Sequence, residues 1–136
     1  MPLSQDEQNK YRDLYIKTAK EYVAQLHEDL KQLASGNETS DLIASIHRGA
    51  HSLRGQSDMM GYTSIKELTS FLEKIFDAKK ISKMPFSEEV LRTFEKSVKA
   101  MDECIASIET TGKESDIEQV IEDLQKYSKL VDYKSI

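Results

Sequence analysis

Residues 46–62 read IHRGAHSLRGQSDMMGY and carry the pattern that decides the fold. Apolar or small residues recur around this stretch every three or four positions, which is the spacing of one buried face of an α-helix. The face comprises Leu42, Ile46, Ala50, Leu53, Ser57 and Met60. The pattern therefore predicts an amphipathic helix, and Gly61 predicts its end, because glycine tolerates the left-handed conformation that closes helices.

A second stripe lies one position further round the same helix. It comprises His47, His51, Arg54 and Asp58. Because an α-helix has about 3.6 residues per turn, this offset rotates the stripe roughly 100° away from the buried face. We therefore expect His51 to be supported by packing and still open to water.

Gly55 lies one helical turn after His51 on the same side. A glycine inside a helix costs about 1 kcal/mol relative to alanine, so its presence needs a reason. Without a side chain there, a bulky partner can bring its own reactive group against the imidazole. Arg54 adds a cation about 4.5 Å further along the axis. Together these residues suit an imidazole that carries a phosphoryl group.

The run AHSLRG at residues 50–55, followed by MGY at residues 60–62, resembles the signature of histidine phosphotransfer (HPt) domains. The aromatic residue after Gly61 makes the chain most similar to the amino-terminal HPt domain of the chemotaxis kinase CheA. The resemblance implies an all-α fold, an antiparallel up-down four-helix bundle with a fifth C-terminal helix packed outside it. It also implies that His51 is phosphorylated at Nε2.

In CheA-like HPt domains a glutamate on the next helix accepts the Nδ1 hydrogen of the histidine, and the matching residue here is Glu73. The alternative is that Glu73 is one more solvated acid on an amphipathic helix. Arg54, where the family usually has lysine, is expected to neutralise part of the phosphate charge. Ser70 replaces a second histidine that the family often has, so a water or a hydroxyl is expected there. Asp58 adds a negative charge that we expect to act on the choice of partner.

The resemblance implies a phosphoryl carrier with two partners. A histidine kinase ATP-binding domain would phosphorylate His51, and an aspartate of a response-regulator receiver domain would accept the group. ATP and magnesium would come from these partners, because the chain has no glycine-rich phosphate loop and no nucleophile elbow of its own. The rival hypothesis is a non-catalytic helical adaptor. Tyr62 and Glu73 favour the interpretation that the chain is a piece of a larger CheA-like kinase. As an isolated domain it is expected to be a monomer.

Metal binding is the remaining alternative for the histidines. His47 and His51 are four residues apart, which could present two imidazoles to zinc, but nothing singles out Glu73 or Asp58 as a further ligand. Cys104 is the only cysteine, so neither an internal disulfide nor a cysteine cluster is possible. We expect no metal site, and we expect Cys104 to fill a small space in the core.

Composition indicates one soluble domain over residues 1–136, with 38% hydrophobic and 32% charged residues. The net charge of −5 argues against nucleic acid as a partner, although Arg48 and Arg54 make the surroundings of His51 locally positive. No run of about 18 apolar residues predicts a membrane span, so we expect a cytoplasmic protein that does not bind membranes.

Five helices are predicted, at about residues 4–34, 40–60, 63–80, 87–109 and 115–131. Their short connections favour antiparallel neighbours. For the first helix, the predicted inner residues are Leu14, Thr18, Tyr22, Leu26, Leu30 and Leu33. Ser115 and Glu118 have the spacing of a capping box at the start of the last helix.

Overall fold

The computed structural model describes residues 2–81 and 85–134, with side chains through residue 130. Five helices account for nearly all of this part of the chain, and it contains no strand. They are α1 (Gln5–Ala34), α2 (Ser40–Met60), α3 (Thr63–Lys79), α4 (Glu88–Thr111) and α5 (Glu118–Lys134). The predicted all-α class is confirmed.

Local capping explains why the limits of α2 agree with the prediction. The hydroxyl of Thr39 accepts the backbone N–H of Leu42, which satisfies one of the free donors at the start of the helix. Gly61 ends the helix in the left-handed region with φ of 79°. Because a side chain at that φ would be strained, glycine is the residue suited to this position.

The helices run antiparallel along the chain. Contacts between α2 and α3 pair Asp58 with Lys66 near one end of the seam and His51 with Glu73 near its middle. On the other side of α2, Tyr15 and Ser57 share a hydrogen bond of 2.7 Å, and so α1 also runs opposite to α2. This register brings the middle of α3 level with the polar stripe of α2.

The fifth helix closes the bundle on the side away from α2. It lies against α3 and α4, which make little direct contact with each other. Ile117, Ile121 and Leu124 are buried there and belong to the common core. The predicted helical bundle with an additional C-terminal helix is confirmed.

The predicted inner face of α1 is partly wrong. Leu14 is 63% exposed, whereas Ile16, Ala19 and Val23 are buried together with Tyr15. Leu26, Leu30 and Leu33 are buried as predicted, while Thr18 and Tyr22 are half-buried. The predicted series steps by four residues, and each such step drifts about 40° round the helix, so Tyr22, Thr18 and Leu14 turn progressively away from the face that contains Leu26.

The predicted capping box of the last helix is also wrong. The hydroxyl of Ser115 donates to Sγ of Cys104 at 3.3 Å, and the carboxylate of Asp116 accepts the backbone N–H of Glu118 at 3.0 Å. The helix therefore begins at Glu118, three residues later than predicted, because Ser115 is engaged by α4. Cys104 is fully buried, as expected for a core filler. Among the described residues, no helix has the length and apolar character needed to span a membrane.

Candidate functional site

His51 lies on the solvent-facing side of α2, next to residues that are packed in the core. Its side chain is 59% exposed, whereas Ala50 and Leu53 beside it are fully buried. The two buried neighbours fix the backbone and therefore the direction in which the imidazole projects. His51 is therefore supported by packing and open to water, as the offset of the two stripes predicted.

Glu73 comes from α3 and meets the ring of His51. Its Oε2 lies 2.9 Å from Nδ1 of His51, which is an ordinary N–H···O hydrogen-bond distance. The side chain of Glu73 is only 20% exposed, because it lies in the seam between α2 and α3. In the tautomer that donates Nδ1–H to Glu73, the lone pair of Nε2 is left free.

Arg54 binds the same carboxylate oxygen. Its Nε donates to Oε2 of Glu73 at 3.0 Å, and its Nη2 lies 3.3 Å from Nδ1 of His51. Burial favours the neutral form of Glu73, but the hydrogen bonds from His51 and Arg54 outweigh it and lower the pKa of this carboxyl. Glu73 is therefore a carboxylate at neutral pH. The guanidinium lies on the Nδ1 side of the ring, not beside Nε2.

His47 forms a second imidazole and carboxylate pair one turn earlier on α2. Its Nδ1 accepts a hydrogen bond from Nζ of Lys80 at 3.3 Å, and its Nε2 lies 3.7 Å from Oδ1 of Asp77. The rings of His47 and His51 are nearly parallel, at 14°, with centroids 6.4 Å apart. Lys80 and Asp77 were missed by sequence reasoning. The antiparallel register could have revealed Asp77, because one helical turn from His51 and from Glu73 leads to His47 and Asp77, respectively.

Gly55 is exposed, and a Cβ atom added to it meets no other atom within 4 Å. The fold therefore does not need a glycine at this position. By contrast, a Cβ at Gly49 would lie 3.2 Å from Leu26, so that glycine serves the packing of α1 on α2. That the bare surface at Gly55 admits a partner stays a prediction.

A profile of the Hpt domain family matches residues 10–127. The chain belongs to the Hpt domain family. It is 25% identical to the chemotaxis protein CheA of Listeria monocytogenes over 83% of its own length, and 39% identical to CheA of Bacillus subtilis over 52%. It is 25% identical to the sensor histidine kinase CheAY of Helicobacter pylori over 88%. The chain spans 18%, 10% and 16% of these relatives, respectively.

Family membership gives this Hpt domain a histidine phosphotransfer role in two-component signalling. The site described above contains the groups that such a role requires: an exposed imidazole, a carboxylate on one ring nitrogen and an open approach to the other. The individual roles of His51, Glu73, Arg54 and Gly55 stay predictions.

The other predicted binding residues of the Hpt domain are Arg48, Asp58 and Ser70. Asp58 pairs with Lys66 at 3.1 Å, which compensates the negative charge predicted to act on partners. The hydroxyl of Ser70 donates to the backbone carbonyl of Lys66 at 2.7 Å and so is engaged within its own helix. Arg48 is exposed on α2 one turn before His51.

The arrangement offers no evident place for a metal ion within the residues that the structure describes. No group of three or more histidine, cysteine, aspartate or glutamate side chains there is arranged to hold one.

Proposed function

We propose that this Hpt domain carries a phosphoryl group on Nε2 of His51 in chemotaxis-type two-component signalling. The ATP-binding domain of a histidine kinase supplies the group, and an aspartate of a response-regulator receiver domain accepts it. The observation that carries the proposal is the 2.9 Å contact between Nδ1 of an exposed His51 and Glu73. The names of the relatives, CheA and CheAY, support the chemotaxis assignment.

The first transfer is an attack by the imidazole on the terminal phosphorus of ATP. The lone pair of Nε2 forms a bond to phosphorus, and the bond from phosphorus to the bridging oxygen breaks, so that ADP leaves with that electron pair. The ring must be neutral for this attack, because a protonated Nε2 has no lone pair. When His51 is neutral and donates Nδ1–H to Glu73, Nε2 carries the lone pair that attacks.

Glu73 acts on the charge that develops during the attack. As Nε2 bonds to phosphorus, the ring becomes positive, and a carboxylate on Nδ1–H stabilises that charge. The same logic applies to the acid behind a catalytic histidine in hydrolases. Arg54 keeps Glu73 ionised and holds it in place through the 3.0 Å bond, so in this proposal it orients the acid.

Transfer onward to the receiver reverses the roles. The oxygen of the receiver aspartate attacks phosphorus, the bond between phosphorus and Nε2 breaks, and the electron pair returns to the imidazole. Most of the machinery for this step, including magnesium, belongs to the receiver. What this chain supplies is an exposed ring and the bare helix surface at Gly55, over which a partner can approach.

Phosphoramidate labelling tests the proposal without a choice of kinase. We expect one acid-labile, base-stable phosphate per chain, which mass spectrometry and ³¹P NMR assign to His51. The His51→Gln variant should show no labelling while circular dichroism reports unchanged helix content. His27→Gln, which makes the same exchange at an exposed position on α1, should label like the native chain.

The partner steps are tested separately, with a CheA kinase core, ATP and isolated receiver domains. Phosphate that reaches His51 and then leaves for a receiver supports the full carrier cycle. A properly folded chain that takes no phosphate from phosphoramidate contradicts the proposal and favours the adaptor hypothesis.

A further inference from the structure

The position of Arg54 raises the question of which group balances the charge of the phosphoryl group. The guanidinium lies at the Nδ1 edge of His51 and is bound to Glu73. A phosphoryl group on Nε2 occupies the other edge of the ring. Because Nε of Arg54 is bound to Glu73, a second positive group beside the ring would add to the stabilisation of a phosphoryl group on Nε2.

His47 is placed to supply this charge. Its ring lies parallel to that of His51 at a centroid distance of 6.4 Å, which is less than the Debye length of about 8 Å at physiological salt. Its side chain is only 20% exposed, so water screens it less than a free surface group. A charge on one ring is therefore felt by the other.

In the unphosphorylated protein, the surroundings of His47 favour its neutral form at neutral pH. The ionisable groups that face it are Lys80, Asp77 and Glu73 from α3 and His51 from α2. Burial and the ammonium of Lys80 hold the pKa of His47 below its ordinary value, against the opposing effect of Asp77 and Glu73. In this state Nδ1 accepts the bond from Lys80, and Nε2 carries the hydrogen near Asp77.

Phosphorylation changes this balance. A phosphoryl group brings roughly two negative charges to the neighbouring ring. We propose that His47 is the proton-linked counter-charge of phosphorylated His51, binding one proton from solvent when the phosphoryl group arrives and returning it when the group leaves. The proton goes to Nδ1, which gives up the bond from Lys80, and Lys80 remains near Asp77 at 3.8 Å.

The inference rests on the proposed function, and NMR titration of the histidine rings separates the two. The full chain is titrated before and after phosphoramidate treatment, and ³¹P NMR confirms phosphate on His51. We expect the titration midpoint of His47 to move upward on phosphorylation, while that of His27 stays fixed. Phosphate on His51 with an unmoved His47 midpoint overturns the inference alone. Absence of phosphate on His51 overturns both.

A matched pair of variants tests whether the proton matters for the phosphoryl group. His47→Gln removes the group that binds the proton, and His27→Gln is its control. The rate of phosphate loss from His51 between pH 5.5 and 8 should show an inflection at the His47 midpoint in the native chain and in His27→Gln. The same inflection in His47→Gln would assign the proton to another group and overturn the proposal.

Discussion

Replacing Glu73 with glutamine tests the charge of this side chain and leaves its shape nearly unchanged. The carboxamide oxygen can still accept Nδ1–H of His51, so the 2.9 Å hydrogen bond is retained but becomes neutral. Hydrogen bonds to charged groups contribute about 1.5–3 kcal/mol and neutral ones about 0.5–1.5 kcal/mol. The variant therefore loses about 1–1.5 kcal/mol of stabilisation as the ring becomes positive.

This loss corresponds to a rate about tenfold lower, since about 1.4 kcal/mol is a factor of ten. Because Glu73 is only 20% exposed, screening by water does not remove the effect. Glu73→Ala loses the charged bond altogether and should be slower by roughly 10- to 150-fold. The order native, glutamine, alanine is the signature of a charge acting through a hydrogen bond.

The assay is the single-turnover rate of phosphorylation of His51 by phosphoramidate at pH 7.5, and then by a kinase core with ATP. Glu67→Gln, an exposed exchange of the same kind on α3, is the control and should react like the native chain. A Glu73→Gln rate equal to that of Glu67→Gln, with helix content intact, would remove Glu73 from the mechanism and refute the reasoning.

Three further predictions concern access, pH and packing. Gly55→Leu should keep or slightly raise Tm, since leucine favours the helix over glycine by up to about 1 kcal/mol and a Cβ atom there meets no other atom. The rate of transfer to a receiver should fall roughly tenfold or more, because the leucine side chain blocks the approach. An equal transfer rate would contradict the access argument. Because the folded pKa of Glu73 lies below its ordinary value of 4.5, its stabilisation is present above that pH and is lost as pH falls through the folded pKa. The difference in unfolding free energy between the native chain and Glu73→Gln should therefore shrink in acid. A difference that grows in acid would contradict this prediction. Tyr15→Phe leaves the buried hydroxyl of Ser57 without its 2.7 Å partner and should lower the free energy of unfolding in urea by about 1–3 kcal/mol, whereas no loss would mean that Ser57 finds another hydrogen-bond partner.

The sequence was sufficient to predict which residues are buried where one face of a helix is clearly apolar. On α2 the predicted face, from Leu42 to Met60, is buried in the structure, and Thr39 and Gly61 mark the ends of the helix by local chemistry. The exposed position of His51 follows from the same periodicity, because a fixed angle separates neighbouring stripes of a helix. Such features depend on residues within a few positions of one another, and so they can be read from a single chain.

On α1 the same reasoning failed. Leu14 was assigned wrongly because each step of four residues advances about 400°, so the series from Leu26 back to Leu14 drifts about 120° away from the buried face. Ser115 failed as a cap for a different reason, since its hydroxyl donates to Cys104 on another helix. Where two local solutions are close in free energy, contacts from distant residues choose between them.

Helical periodicity and capping residues were enough to predict the five helices and the exposure of His51 on α2. The structure was needed to show that Arg54 binds Glu73 at the Nδ1 edge of the imidazole and that Lys80 and Asp77 flank His47. Hydrogen bonds between side chains of different helices depend on the register of α2 against α3. That register is set by packing along the whole seam and is not encoded near any one of the residues it brings together.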